Sequence, residues 1–370
     1  MLFCGHYETR PGGQLRENRK SGLASLAAAH PTDRCGADQS TQLMAFVEAC
    51  RAWKAVAGQL PTQVSVLVDG ERGSESDRLT SFLCMYEDEL RADIGLAPAA
   101  RIWCHAVPTI NSMLRGLCCE EFTIVAANGD RLARPRGAVA ADPTRILARI
   151  LGDLHDPSGR VAIPSFYEGI DAPLEPPSDR RSGEPCDTAN LPRTPEPGLP
   201  EGERGAGHCE TIPVSPTCEI DSVSGSGDGP RPAISPRAFA SLSFHLVCDQ
   251  DPDAVRRAFR DFARARAPVA SRIEFRSGIS APPARLATSS PAFRKVRDAL
   301  TAEWGRRAVF ACGDAAPAIH ALRQALGMEV IVTSFPEPRD GCRSAREVPE
   351  PSNYRGGIHS WARILDALAQ

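Results

Sequence analysis

The sequence predicts an α/β protein in which a doubly wound domain is interrupted by a smaller α+β domain. Apolar runs of strand length alternate with helical patterns in roughly the first 110 residues and again after residue 280. Between them lie two strand–helix units of different character, separated by a stretch rich in Pro, Gly and charge. The length of 370 residues suits two domains.

The chain opens on a short apolar run, Leu2–Cys4, that reaches Gly5 and His6 at once. This pattern predicts a buried strand whose carboxyl end delivers an imidazole into a crevice, where sites of open α/β sheets lie. Taken alone, His6 is consistent both with a metal ligand and with an ordinary core or loop histidine.

The next elements continue the alternation of strands and helices. Asp38 lies at or just before the start of a helical pattern, and an N-cap is the simplest explanation for an Asp there. The later elements are a strand over Val64–Val68 ended by Asp69-Gly70, a helix from Ser76 or Asp77 to Leu90, and a strand at Ile102–Trp103. We therefore expect a parallel, doubly wound sheet.

The middle of the chain predicts a small α+β, ferredoxin-like sandwich with one helical layer on one sheet. Its predicted elements are a strand over Glu120–Ala127, a helix from Asp142-Pro143 to Leu154, a strand over Ala240–Cys248, a helix from Asp251-Pro252, and a strand over Ser271–Phe275. The Pro-rich stretch 171–213 has few apolar residues, and we expect it to be largely disordered.

The last part of the chain returns to the first pattern. It predicts a helix over Ser290–Trp304, a strand over Ala308–Cys312, a helix over Ala316–Leu326, a strand over Val330–Thr333 and a helix over Ile358–Leu368. The expected domains are thus 1–110 with 280–370, and an inserted domain over 111–279.

Composition excludes several classes of function. The net charge of −3 gives no basic field for nucleic acid or for an anionic membrane surface. No apolar run approaches the roughly 20 residues that span a bilayer, and the N-terminus lacks a signal-peptide pattern. The 13 cysteines form no CxxC pair, and their odd number favours reduced thiols and the cytoplasm.

At this point the sequence resembles the zinc peptidase and deacylase family of carnosinase-type dipeptidases, acetylornithine deacetylase and succinyl-diaminopimelate desuccinylase, and most of all its dipeptidase branch. The resemblance is carried by LFCGHYETRP from Leu2, QLMAFVEACRAW from Gln42, MLRGLCCEEFTI from Met113, ARILGDLHDPSGRVAIPSFYEGI from Ala148, PTCEI from Pro216, SFHLVCDQDP from Ser243 and GGIHSWARILDALA from Gly356.

The resemblance implies a catalytic α/β domain with two adjacent zinc ions and an inserted lid domain that often forms a homodimer. In that family an Asp bridges the two ions, and a Glu acts as general base on the bridging water. His6 matches the first metal-binding His, and Asp38 matches the bridging Asp.

The agreement then fails at the motif that supplies the general base. The family motif EGxEExGS falls on VDGERGSES from Val68. In one register Arg72 takes the place of the base and Gly73 that of the ligand, whereas in the other Gly70 replaces the base and Glu71 is the ligand. Neither register supplies a proton acceptor.

Other site positions of the family have also changed. A metal-binding Asp falls on Ala99, the lid's transition-state His on Leu132, a substrate-binding Arg on His245, and the last metal-binding His on Arg343. Cys104, His105 and Cys342 lie near such positions and are chemically able to bind zinc. We therefore assign no catalytic residue, leave the substrate-binding residues open, and name His6, Asp38 and Glu71 as the candidate metal ligands.

Three interpretations remain open. The chain is a homologue without catalysis whose inserted domain forms a homodimer, or an active zinc amide hydrolase that has recruited Glu71, His105 or Cys342, or a decayed product. Zinc is the cofactor that the resemblance implies, with binding expected to be weak or absent because His6, Asp38 and Glu71 cannot complete two zinc sites.

Relatives carry a strand and helix before the His6 strand, and we expect either an upstream start or an eroded gene.

Overall fold

The computed structural model describes residues 1–6, 36–69, 76–99, 108–125, 142–168, 170, 216–225, 237–268, 271–313, 315–335 and 351–370. The chain divides into two compact units. One consists of Met1–Leu114 together with Arg285–Gln370, and the other consists of Arg115–Ala284. We call the first the discontinuous unit and the second the inserted unit.

The elements are numbered in chain order. The first part of the discontinuous unit contains β1 (Leu2–His6), α1 (Gly36–Ala57), β2 (Ser65–Asp69), α2 (Ser76–Met85), α3 (Glu87–Leu90), β3 (Ile94–Pro98) and β4 (Thr109–Leu114). The inserted unit contains β5 (Gly116–Val125), α4 (Pro143–Gly152), β6 (Thr217–Gly225), β7 (Arg237–Leu246), α5 (Pro252–Arg266) and β8 (Arg272–Ala281). After β9 (Ala284–Arg285) the discontinuous unit resumes with α6 (Pro291–Trp304), β10 (Val309–Gly313), α7 (Pro317–Leu326), β11 (Glu329–Ser334) and α8 (Pro351–Ala369).

The sheet of the discontinuous unit has the strand order β10-β4-β11-β3-β1-β2, and β9 also pairs with β4. The four strands β11, β3, β1 and β2 are parallel. β4 runs antiparallel to β11 and parallel to β10, so the prediction of a parallel sheet was wrong at this edge. An antiparallel neighbour requires no crossover helix, so the alternation of strands and helices does not reveal this pair.

Helices cover both faces of this sheet, which confirms the doubly wound fold. One core cluster joins Phe3 and Ile331 of the sheet to side chains of α1, α6 and α8. Val330 and Val332 flank Ile331, are also buried, and must point to the opposite face because side chains alternate along a strand. On that side α7 packs against β11 and α2.

An aromatic cluster fixes β1 against two helices. The Phe3 and Phe46 rings stack at 3.7 Å, and Trp361 of α8 meets both rings edge-on at 5.3 and 5.5 Å. All three side chains are fully buried. Each such ring pair contributes about 0.5–1.5 kcal/mol beyond the burial of area. The first strand is therefore firmly anchored despite its length of five residues.

β2 is the last strand at its end of the sheet, and among the described strands only β1 pairs with it. Val66 and Val68 of β2 are 47% and 42% exposed. This edge of the discontinuous unit thus presents apolar side chains on a strand that has one neighbour among the described strands.

The inserted unit is an antiparallel sheet of order β6-β7-β5-β8 with two helices, α4 and α5, packed on one face. Its chain order of strand, helix, two strands, helix and strand confirms the predicted ferredoxin-like α+β sandwich. Alternate residues of β5 and β7 are buried beneath the helices. The stretch 171–213, which we expected to be disordered, lies outside the described residues.

No described helix is long and apolar enough to cross a membrane.

Candidate functional site

The carboxyl ends of the parallel strands meet at one edge of the larger sheet. In register, His6 at the end of β1 lies opposite Asp69 at the end of β2. Pro98 ends β3 beside Thr333 of β11. This edge is where ligands bind in open α/β sheets, and it carries the imidazole that the sequence singled out.

Gly5 sets the position of His6. A Cβ atom at residue 5 would lie 2.8 Å from Leu43 Cδ1 and 3.1 Å from the Phe3 ring, closer than ordinary carbon contacts. The absence of a side chain lets α1 approach β1 at the residue before His6. The helix and strand therefore pack closely just beneath the candidate site.

His6 and Asp69 approach each other across the two strands. Nδ1 of His6 lies 3.8 Å from Oδ2 of Asp69, and the side chains are 26% and 19% exposed. This separation is too long for a direct hydrogen bond. The pair is thus a partly buried, polar contact at the end of the two strands.

Cys4 lies on the same strand, two residues before His6. Burial raises the pKa of its thiol to about 12, and the Asp69 carboxylate adds to the increase. The thiol therefore stays protonated at neutral pH, whereas zinc binds the thiolate. Cys4 is a core residue and not a metal ligand in this state.

Ala99 follows β3 directly and is 4% exposed. Its backbone N–H donates a 2.8 Å hydrogen bond to Thr333 O, which continues the pairing of β3 with β11. A methyl group has no lone pair, so Ala99 offers no metal-binding atom at the last described residue of this strand end. On the far side of β11, Ser334 Oγ and Thr109 Oγ1 form a buried 2.5 Å hydrogen bond.

The side chains of the other two candidate metal ligands, Asp38 and Glu71, lie outside the described residues. Asp38 belongs to the first turn of α1, a helix that starts after β1, but its side chain lies outside the described residues. Glu71 lies outside them altogether, as do Arg72, Cys104, His105, Leu132, Cys342 and Arg343. His6, Asp38 and Glu71 therefore remain predictions as metal ligands.

His245, predicted to replace a substrate-binding Arg, lies on β7 of the inserted unit. Its Nε2 atom is 3.8 Å from Oε1 of Glu219 on β6, and the side chains are 22% and 56% exposed. The structure thus places an ionisable pair at this position of the inserted sheet.

Asp69 is the site residue that the sequence analysis missed. It ends the predicted strand Val64–Val68 and was read there only as part of a turn with Gly70. Its relation to His6 depends on the pairing register of β1 and β2, which no single segment encodes. The sequence feature that could have identified Asp69 is its place directly after a predicted buried strand, where site residues of parallel sheets lie.

The donor set of the described residues does not fit a two-zinc centre. Among them, no three His, Cys, Asp or Glu side chains are grouped so that they could hold a metal ion. Two adjacent zinc sites need about four ligands each, some of them shared. His6 and Asp69 supply two donors.

Comparison with known proteins places the fold. The sequence matches no family model. It is 22% identical over 143 residues to the Beta-Ala-His dipeptidase of Mus musculus, a segment that is 38% of this chain and 29% of that protein. The alignment therefore spans less than a third of the curated relative.

Solved structures match over the whole chain. Human carnosine dipeptidase 1 superposes with a TM-score of 0.73 at 17% identity and is covered over 80% of its length. An M20 family metallo-carboxypeptidase of Sulfolobus solfataricus gives 0.76 at 19% identity, with 84% covered. The dipeptidase Dug1p of Saccharomyces cerevisiae gives 0.71 at 19% identity, with 79% covered. The chain therefore has the M20 dipeptidase-like fold that the resemblance in its sequence implied.

Proposed function

We propose that this chain is a non-catalytic homologue of the metal-dependent dipeptidases, kept for assembly into a homodimer and not for hydrolysis of amide bonds. The observation that carries the proposal is Ala99 at the carboxyl end of β3, where the resemblance implies a metal-binding Asp. A buried methyl group at that strand end removes a donor, and no side chain of the described residues 94–98 replaces it.

The chemistry of the family explains why such losses are severe. Bound zinc lowers the pKa of its water and polarises the scissile amide, so each lost ligand weakens the source of the nucleophile. A carboxylate base contributes about 10²- to 10⁴-fold to the rate, and Arg72 or Gly70 stands in its place here. The sequence at these positions supports loss of both functions.

The inserted unit supports the assembly role. β6 ends its sheet, and among the described strands only β7 pairs with it. Ile220 and Val223 of β6 are 44% and 56% exposed. Pairing of β6 with the same strand of a second copy would satisfy the backbone edge that no other described strand covers, and would bury both side chains.

We also propose a cytoplasmic location. Seven cysteines of the described residues are free thiols and form no disulfide bond, which is typical of proteins in a reducing compartment.

Metal content and hydrolysis of β-Ala-His by the full chain test the proposal. We expect no turnover above a heat-inactivated sample with added Zn²⁺, and a dimer in sedimentation velocity. About two zinc ions per chain together with cleavage of β-Ala-His or an N-acyl amino acid would overturn the proposal and support the active hydrolase that has recruited Glu71, His105 or Cys342. A chain that only aggregates would instead support the decayed product.

A further inference from the structure

The region formed by α5 and β8 is basic in a chain of negative net charge. Residues 251–281 contain seven arginines and four acidic residues, a net charge of +3, whereas the whole chain carries −3. Four of these arginines have side chains that are between 59% and 84% exposed: Arg257, Arg264, Arg272 and Arg276. The inserted unit thus presents an accessible basic surface that the total charge conceals.

This surface lies along the end strand β8. Among the described strands only β5 pairs with β8, which ends the inserted sheet on the side opposite β6. Arg272 and Arg276 lie on one face of β8, because side chains two residues apart along a strand share a face. Glu274 lies between them, 3.1 Å from Arg272 and 3.7 Å from Arg237, so two guanidinium groups already share its charge.

Two more arginines approach β8 from the helix layer. The Cζ atoms of Arg260 and Arg264 on α5 lie 5.4 and 5.1 Å from the centroid of the Phe275 ring. Phe275 packs against the core beneath the helices and therefore points away from the face that carries Arg272 and Arg276. Cation–π contacts of this kind hold guanidinium groups in place. Arginine side chains therefore flank β8 on both faces of the sheet.

The ion pairs of the exposed arginines leave donors for a further acidic group. Nη1 of Arg276 lies 3.5 Å from Oε2 of Glu121, and Nη2 of Arg257 lies 3.6 Å from Oδ2 of Asp251. These separations are longer than ordinary hydrogen bonds. Since each guanidinium group carries five N–H donors, an added carboxylate can bind to the same arginine.

We infer that β8 binds an acidic, extended segment of a partner protein as a fifth strand of the inserted sheet. The backbone edge of β8 supplies hydrogen bonds to the added strand, and carboxylates facing Arg272 and Arg276 supply the selectivity. A second copy of this chain is a poor occupant. Antiparallel pairing of β8 with itself about Glu274 would place Arg272 of one copy opposite Arg276 of the next, and like charges in that position repel.

Fluorescence anisotropy of the full chain with a labelled peptide of alternating glutamate and valine tests this surface. We expect saturable binding that weakens when NaCl is raised from about 0.05 to 0.5 M, because salt screens exposed charges. The double reversal Arg272→Glu with Arg276→Glu should weaken binding at least about tenfold, and should permit binding of the matching lysine–valine peptide.

The matched control makes the same change of charge on α4. Arg145 and Arg149 are exposed on that helix, which packs against β5 and β7. Arg145→Glu with Arg149→Glu should leave peptide affinity within about twofold of the unchanged chain, since exposed charges more than a Debye length apart are largely screened. Circular dichroism of both double variants establishes that the fold is kept.

N-methylated peptides test whether the segment binds as a strand. One peptide is methylated at its glutamates and another at its valines, so each keeps its charges and loses the N–H donors of one edge. At least one of the two should bind about tenfold more weakly than the unmodified peptide.

Three results would overturn the inference: unchanged affinity in the β8 double variant, an equal loss in the α4 control, or unchanged affinity of both methylated peptides. Tighter binding of single-stranded DNA of the same charge would overturn it in favour of nucleic acid. The dimer proposed through β6 is measured by sedimentation without peptide, so its failure is distinguishable from failure here.

Discussion

The carboxylate of Glu120 on β5 is fully buried and accepts a 3.0 Å hydrogen bond from Arg256 Nε on α5. Arg260, one turn further along α5, donates to the other carboxylate oxygen at 2.7 Å. These contacts join the helix layer of the inserted unit to its sheet, beside the apolar core cluster of that unit.

Replacing Glu120 should therefore destabilise the inserted unit strongly. Glu120→Ala removes the buried partner of Arg256 Nε and leaves that guanidinium with its contact to the exposed Asp253. We expect a loss of about 3 kcal/mol in the free energy of unfolding by urea. Glu121→Ala is the matched control, because its side chain points to the opposite face and its partner Arg276 is 84% exposed. The control should change stability by about 0.5 kcal/mol or less. Equal losses in the two variants would contradict the assigned role of Glu120.

Two adjacent glycines of α8 should respond in opposite directions to alanine. A Cβ at Gly356 would lie 2.7 Å from Trp304 Cη2, whereas the nearest atom to a Cβ at Gly357 is 3.5 Å away, in Phe335. Trp304 is held by a 2.8 Å hydrogen bond from its Nε1 to Ser360 Oγ, so it cannot easily move aside.

We expect Gly356→Ala to lower the free energy of unfolding by about 1–3 kcal/mol through overpacking. Gly357→Ala should raise it by up to about 1 kcal/mol, since alanine favours the helix and meets only ordinary contacts. Thermal denaturation of the two variants checks the difference, and a stabilising Gly356→Ala would show that α6 and α8 pack less closely than described.

The exposed apolar side chains of β6 should decide whether the chain dimerises. The double substitution Ile220→Lys with Val223→Lys places two charges at the proposed interface, and we expect a monomer in sedimentation velocity. Val56→Lys is the control, because Val56 is 89% exposed at the end of α1 in the other unit. A dimer that persists in the double variant would place the interface elsewhere.

The thiols should differ sharply in reactivity. Burial raises the pKa of Cys4 to about 12, so less than a thousandth of it is thiolate at about pH 8, whereas Cys84 is exposed. Mass spectrometry after brief treatment of the native protein with iodoacetamide should find Cys84 alkylated and Cys4 unmodified. Modification of Cys4 at the rate of Cys84 would mean that β1 opens readily.

Local signals predicted the helices well. Asp251 caps α5 with hydrogen bonds from Asp253 N and Ala254 N, and Pro252 follows at the first helical position. Ser290 caps α6, and Gly305 ends it in the left-handed conformation with a φ of 63°. Each of these signals resides in a few neighbouring residues, so the sequence alone reveals it.

Strands and site geometry were harder to predict. β3 and β4 were not recognised, because Gly95, Pro98 and Asn111 interrupt their apolar runs, and a strand was expected instead at Ile102–Trp103, outside the described residues. The contact of His6 with Asp69 spans 63 positions of sequence and arises from strand register. Prediction from the sequence found one partner of the pair and overlooked the other.

The end strand β2 has a practical consequence for handling the protein. A strand with one described neighbour and two outward valines is a template on which further chains can add, so concentrated samples should lose material by slow precipitation even when every molecule is folded. A single lysine in place of Val66, distant from the strand end that carries Asp69, should raise the concentration at which the protein can be stored.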